Sequence, residues 1–402
     1  MSMNIGITIR LQEENESLWI NGIKLNAAYL LKALKEIGYN AYLVNSGDIQ
    51  APYETKVNWN TNEIPIYDYS EVYKDTDVMI WLGAVYSDQD ILDFKKTGPN
   101  KKVIKYTCGN NYMLDMENSI FGEGTGGTVY NQLIDELWYV PQQEELNREY
   151  FRILHNLPAD KVRPVPFIWD PMFLDQFSAL YNNPEIIEKE LPVPLYKPGK
   201  LNSEKRITSF EPNINVGKWH MINLLIAEDY LQKGGDFKNF TVLCGDHLLT
   251  KPHYQSIIRN TKLWNCDPIK LTYLPRLQVT HALAQFTDII ISHQWTIPLN
   301  YSYLDALYLQ FPLVHNAPMI KDAGYYYHGN NIGQGTRQLK QAIENHDDNI
   351  EEYNEISEKV LTRYTIFNEG LLETYKQLIE TTMGIKDHKL SGNYDWQTNL
   401  YK

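Results

Sequence analysis

Short β-branched runs alternate with amphipathic helical stretches along most of this chain, a rhythm that one ordinary core cannot carry over 402 residues. Residues 5–9, 41–44, 78–82, 103–107, 137–140 and 163–169 read as strands, with helices at 23–37, 88–95 and 142–154. A proline-rich stretch, 191–200, interrupts the pattern. Beyond it come strands at 206–210, 240–244, 271–274, 289–291 and 313–314, with helices at 217–232, 278–285 and from about Tyr301. Alternation of this kind predicts an α/β protein built on parallel sheets. The simplest architecture is two doubly wound, Rossmann-like domains in series, residues 1–168 and 169–383. The tail, 384–402, carries Tyr394, Trp396 and Tyr401, too aromatic for a solvated arm, and is expected to dock on the first domain. Residues 45–73 form a polar, aromatic insertion long enough to act as a lid or binding loop. The charged region 347–383, with Tyr353, Ile356, Val360, Tyr364 and Phe367 at helical spacing, reads as core packing.

Composition narrows the function classes. A formal charge of −13 argues against a protein that coats nucleic acid non-specifically, because that affinity comes from phosphate neutralisation. Two basic clusters stand out against it: Lys95, Lys96, Lys101, Lys102 and Lys105, and a looser set of Lys197, Lys200, Lys205 and Arg206. Solvated faces are their ordinary meaning. No apolar run is long enough to span a bilayer and no basic-apolar leader opens the chain, so a cytoplasmic protein without a membrane partner is expected. Cys108, Cys244 and Cys266 are too scattered for a disulfide framework or a zinc site; buried free thiols and no metal are the expectation.

The segment 289–316 packs a buried strand, a polar loop, a helix and a second strand into one unit. Ser292, His293 and Gln294 fall where the strand emerges, the end at which such sheets bind ligands. Asn300 can cap a helix that begins near Tyr301 and carries Asp305. Three further features share that setting. Glu211 and Asn213 follow a strand, with Lys218 in the first turn of the next helix, where a lysine can grip a diphosphate. Gly245 follows a strand and would let a ligand approach the backbone. Arg276 lies just past a strand end, a position suited to phosphate or base recognition. Taken singly, each has a bland meaning: a surface lysine beside a capping Asn, a common strand-end glycine, an exposed ion-pair partner, a core histidine. Together they point to a phosphate-bearing ligand.

The first domain offers different chemistry. Trp19, Asn21 and Gly22 lie between a strand and a helix, either as a surface for a ring or as a core-packed aromatic beside a cap. Asn110 and Asp115 follow another strand. The run Gly-Glu-Gly-Thr-Gly-Gly at 122–127 lacks the Walker lysine and reads as a turn.

Four groups of residues carry a resemblance that covers most of the chain. They are Glu136-Leu-Trp-Tyr-Val-Pro141 with Lys161-Val-Arg-Pro-Val-Pro-Phe-Ile-Trp-Asp170, Phe210-Glu-Pro-Asn-Ile214 with Lys218, Ser292-His-Gln294 with Asn300-Tyr301 and Tyr303-Leu-Asp305, and Pro312-Leu-Val-His-Asn316 through Gly324-Tyr-Tyr-Tyr327. In these the chain resembles GT-B glycosyltransferases, and more specifically a little-characterised family of GT-B-like proteins from bacteria and phages. The resemblance implies two Rossmann-like domains with an interdomain cleft, a nucleotide sugar held by the second and an acceptor facing the first. It implies transfer of the sugar to an acceptor hydroxyl without a metal. Lys218 and Arg276 would neutralise the diphosphate and Asp305 would hold the ribose, with Glu211, Asn213, Gly245, His293, Gln294, Asn300 and Tyr301 completing the donor set. Trp19, Asn21, Gly22 and Asn110 would face the acceptor, and His293, Lys218 and Asp115 would act in catalysis, an inverting route needing a base in the first domain, either Asp115 or Glu14. One departure stands out: many retaining members have a second carboxylate where this chain has Ile297, which leaves retention and inversion open. Phage relatives suggest modified DNA as partner, with a hydroxylated or hydroxymethylated pyrimidine as acceptor, and then the host cytoplasm as location. A glycan or small-molecule acceptor fits the acidic balance equally well. A sugar-nucleotide epimerase and a non-catalytic binding protein share the architecture.

Overall fold

In the computed structural model, which describes residues 3–122, 129–181, 194–390, 394–395 and 397–401, the apolar runs pair into two separate parallel sheets. The first contains β1 (Asn4–Ile9), β2 (Asn40–Asn45), β3 (Ile66–Asp68), β4 (Val78–Trp81), β5 (Lys102–Thr107), β6 (Glu136–Tyr139) and β7 (Val162–Pro164), in the order β3-β2-β1-β4-β5-β6-β7. The second contains β8 (Arg206–Ser209), β9 (Asn239–Leu243), β10 (Leu271–Leu274), β11 (Ile289–Ser292), β12 (Leu313–His315) and β13 (Tyr325–Tyr326), in the order β10-β9-β8-β11-β12-β13. Each order reverses once, at β1/β4 and at β8/β11, and a parallel sheet opens a crevice where its order reverses. A short antiparallel pair, β14 (Tyr394–Asp395) and β15 (Leu400–Tyr401), lies near the end of the chain.

Helices cover the sheets because their apolar stripes need burial. The helix Gly22–Ile37 starts on Asn21, whose side chain accepts from Lys24 N, and stops at Gly38, which takes a left-handed φ of 101°. It buries Ala27, Leu30, Leu31 and Leu34. In the first unit Val44, Met79, Val103 and Leu137 share a core with Ile91, Phe94 and Phe151. In the second, Ile207, Phe240, Val242, Ile289 and Ile291 pack against Leu224, Ile226, Leu339 and Ile343. Among the described residues no helix is long and apolar enough to cross a membrane.

The chain divides into two compact units, 1–170 with 363–402, and 171–362. Residues 363–383, given to the second domain by the sequence reading, therefore count with the first unit. The helix Glu369–Thr382 packs on the helix Gly22–Ile37, Tyr375 Oη donates to Pro166 O at 2.7 Å, and Thr382 Oγ1 donates to Glu136 at 3.0 Å. The tail joins the same unit. Asn399 exchanges two hydrogen bonds with the Phe167 backbone (2.8 and 2.7 Å), Tyr401 Oη donates to Pro164 O, and Arg163 donates to Leu390 O at 2.7 Å. Trp396 lies outside the described residues.

Several local expectations differ from the structure. The strand expected over 163–169 shortens to β7, since Pro164 and Pro166 lack a ladder donor and the amides of Phe167 and Trp169 go to Asn399 and Tyr364. The insertion 45–73 is not plain loop but contains β3 and a short helix, Tyr69–Val72. The amphipathic region 347–383 breaks into the helices Ile350–Leu361 and Glu369–Thr382, and Phe367, expected in the core, is 77 % exposed. The free cysteines are half-buried rather than buried.

Candidate functional site

The order reversal of the second sheet brings together Glu211, Asn213, Lys218, His293 and Gln294, five of the residues expected to bind the donor. Glu211 follows β8 and has no accessible surface. Its carboxylate accepts from Ser209 Oγ, Ser292 Oγ, Asn223 Nδ2 and, at 2.7 Å, His293 N. It therefore ties the exits of β8 and β11 together and does not itself face a ligand. Burial raises its pKa to about 7, against the pull of these donors. Asn223, on the buried face of the helix Met221–Gln232, escaped the sequence reading; its signal is a polar side chain inside an apolar stripe.

The two exit loops touch, with Trp295 N donating to Gly217 O at 2.9 Å. Gln294 is 2 % exposed and clamped by reciprocal bonds with Asn316, at 3.2 Å to its amide and 3.0 Å from its carbonyl. Its Oε1 atom is buried with no hydrogen-bond donor among the described residues, and Asn215 Oδ1 on the facing loop is in the same state. Each of these two oxygens therefore keeps its full capacity to accept a hydrogen bond.

His293 is buried, with Nδ1 3.0 Å from Tyr327 Oη and the rings stacked. Burial holds its pKa down, near 4, so the imidazole is neutral near pH 7 and presents no cationic acid. Asn213 adopts a left-handed φ of 54° and donates to Glu211 O and Leu243 O at 2.8 and 3.1 Å, while its Oδ1 accepts from His220. It is a loop clamp. Lys218 does not stand in the first turn of a helix. It ends the 3-10 turn Val216–Lys218, Trp219 is extended, and the helix begins at Met221, because Asn213 N and the Lys218 carbonyl close the loop first (3.0 Å).

Packing alone already requires a glycine at 245: a Cβ there would lie 2.6 Å from Val242 Cγ1 and 3.0 Å from Tyr273 Cδ1. Arg276 is exposed in the loop after β10; burial pushes the pKa of the neighbouring Cys244 thiol up, and the Arg276 charge offsets only part of that. Asn300 is the N-cap residue of the helix Tyr301–Tyr308, but its side chain makes no capping bond and accepts from Ser302 Oγ instead. Tyr301 and Asp305 are buried on that helix.

The acceptor-side residues belong to the first unit. Asn21 and Asn110 both cap helices, accepting from Lys24 N and Met113 N at 3.0 and 3.1 Å. Gly22 opens the first of these helices and Trp19 lies half-buried in the turn before it. Asp115 Oδ2 accepts from both Tyr130 and Tyr150, so a tyrosine cage surrounds the proposed base. Glu14 is exposed. Of the glycine-rich run, residues 123–127 lie outside the described residues; Gly122 ends the helix Asn111–Phe121 with a φ of 68°. Among the described residues no group of three or more His, Cys, Asp or Glu side chains is set to hold a metal ion.

The basic clusters are largely matched by acids. Lys95 and Lys102 share Asp135, at 3.0 and 3.8 Å, Lys96 pairs with Asp93 and Lys101 with Asp77. Lys105 is buried and its pKa depressed to about 8 by that burial. Lys200 and Arg206 share Asp288, and Lys205 pairs with Asp347.

The chain belongs to the family described as "Protein of unknown function (DUF2827)", whose model matches residues 5–379. No curated protein matches it in sequence. Solved structures that resemble it include S. aureus TarM, in complex with UDP among other ligands, at 10% identity over 94% of this chain and 99% of that one, with a TM-score of 0.54. The pneumococcal O-GlcNAc transferase GtfA, with UDP and GlcNAc, aligns at 9% identity over 95% and 99% of the two chains, TM-score 0.53. An alpha-glucosyltransferase, with UDP and a 13-mer DNA, aligns at 10% identity over 95% and 99%, TM-score 0.51. These likenesses identify the two-sheet α/β architecture as the GT-B fold.

Proposed function

We propose that this member of the DUF2827 family is a glycosyltransferase that moves a sugar from a nucleotide sugar to an acceptor hydroxyl. The observation that carries the reading is the pair of orphaned amide oxygens, Gln294 Oε1 and Asn215 Oδ1, on two touching loops at the β8/β11 crevice. A base or ribose would supply the missing donors. Lys218, on the same loop as Asn215, would meet the diphosphate, joined by Arg276 beyond β10, and Asp305 would accept from the ribose hydroxyls. The neutral His293 is suited to donate a hydrogen bond rather than a proton. Basic side chains of this kind would stabilise a leaving nucleoside diphosphate without a metal. The solved structures named above hold UDP, which makes a UDP-sugar the first donor to try.

A hydroxymethylated pyrimidine in DNA would need several uncommitted cations. The ion pairs at Asp135, Asp93 and Asp77 occupy Lys95, Lys96, Lys101 and Lys102, so the acceptor we favour is a glycan or small molecule.

The test is mass spectrometry of products after mixing the protein with UDP-sugars, with and without acceptors, in the presence of EDTA. Transfer is expected only with acceptor, and Lys218→Ala should lower it about a hundredfold, the scale on which one transition-state charge contact acts. Conversion of the donor to an epimer without acceptor, or no donor binding, would sink the reading.

A further inference from the structure

The first sheet has its own reversal, between β1 and β4, and nothing in the donor site accounts for what lies there. Outside the carboxyl ends of β1, β2 and β4 is an open cavity of about 650 Å³. Its frame is pinned. Thr8 Oγ1 donates to Ala84 O at 2.7 Å and accepts from the amides of Leu82 and Ala84 at 3.1 and 3.2 Å, which uses its full hydrogen-bonding capacity. Gly83 permits this approach, since a Cβ there would lie 3.0 Å from Thr8 O and 3.1 Å from Ile9 Cα.

The lining combines three chemistries. Tyr69 and Tyr86 give an aromatic wall, ring centroids 4.3 Å apart, with Trp81 behind Tyr86 at 6.5 Å. The Tyr86 hydroxyl is buried without a hydrogen-bond partner among the described residues. Arg10, at the exit of β1, is exposed and makes no ion pair or hydrogen bond among the described residues. Asp90, on the helix Asp88–Lys96, spends one carboxylate oxygen on Ser87, accepting from its amide at 3.0 Å and its hydroxyl at 2.7 Å.

An aromatic face attracts the polarised C–H groups of a saccharide ring, whose hydroxyls need acceptors such as Asp90. An uncommitted guanidinium adds a fork for a planar or tetrahedral anion. We propose that this cavity is a subsite for a saccharide bearing a terminal anion, a phosphate ester or a carboxylate, with the anion on Arg10 and the ring on Tyr86. The proposal rests on the glycosyltransferase reading and names its acceptor class.

Calorimetric titration tests it with four probes on the full chain: a methyl hexoside, its 6-phosphate, the corresponding hexuronide and inorganic phosphate, with UDP titrated into wild type separately. The anionic saccharides are expected to bind about tenfold tighter than the neutral one, the worth of one charge-assisted contact. Which of the two anions binds tighter identifies its chemistry. Arg10→Ala should erase the preference and Arg10→Lys restore part of it, while Tyr86→Leu should weaken every saccharide. A preference that survives Arg10→Ala, or inorganic phosphate binding as tightly as the sugar ester, overturns the subsite. With UDP binding intact, the absence of any preference overturns the subsite alone; failure to bind UDP overturns the transferase reading and this proposal with it.

Discussion

Glu211 and the buried histidines respond to acid in opposite directions. Burial holds the pKa of His155, His293, His315 and His346 near 4 and that of His220 near 3. In the unfolded chain each titrates near its ordinary value of about 6.5, so the unfolded state takes up protons first as pH falls. The stability they lend is full above about 6.5 and drains away towards pH 4. Glu211 has its folded pKa raised to about 7, so its ionisation costs the fold stability as pH climbs from the ordinary carboxylate range to 7. Five groups outweigh one. Urea midpoints should therefore drop between pH 6.5 and 4.5, and Glu211→Gln should gain on wild type as pH rises from 5 to 7.5. A stability difference between the two that does not change with pH would contradict a carboxyl held in its neutral form.

At the scale of elements, the loop after β9 shows how one residue can be claimed by packing or by ligand. Gly245→Ala places a methyl against Val242 and Tyr273, and overpacking of this kind costs about 1–3 kcal/mol. Its φ of −111° would suit alanine, so the cost is one of space. The expected outcome is a lower urea midpoint with nucleotide affinity unchanged; the reverse pattern would return Gly245 to the ligand. Strands such as β1, β2 and β10 were legible within a residue or so because a β-branched run is a local signal. The strand-end placement of Glu211, His293 and Gln294 was legible for the same reason. What could not be read depends on partners far along the chain: Asn316 clamping Gln294, Tyr273 crowding Gly245, Asn223 reaching Glu211. The Arg10 cavity draws on the exits of β1 and β4 and on Tyr69 from the insertion, a meeting with no local signature. Lys218 slipped out of its helix because the loop closes on Asn213, whose left-handed backbone no period announces.

At the scale of the whole molecule, the division into 1–170 with 363–402 and 171–362 predicts unequal sensitivity to loss of the tail. Ending the chain after Gly384 removes Asn399 from the Phe167 backbone, Tyr401 from Pro164 and Leu390 from Arg163. Stranding these buried groups should cost about 3 kcal/mol or more. Scanning calorimetry of the shortened chain should show one transition shifted down and one in place; an equal shift of both would mean the tail serves each unit alike. The same connectivity sets an order of assembly during synthesis. Residues 171–362 form one continuous stretch, so every segment of that unit has been made once Thr362 leaves the ribosome. The other unit is split around it, so the face of the helix Gly22–Ile37 that the helix Glu369–Thr382 covers stays bare through the making of residues 171–362, and the unit that encloses the other in sequence is closed after it.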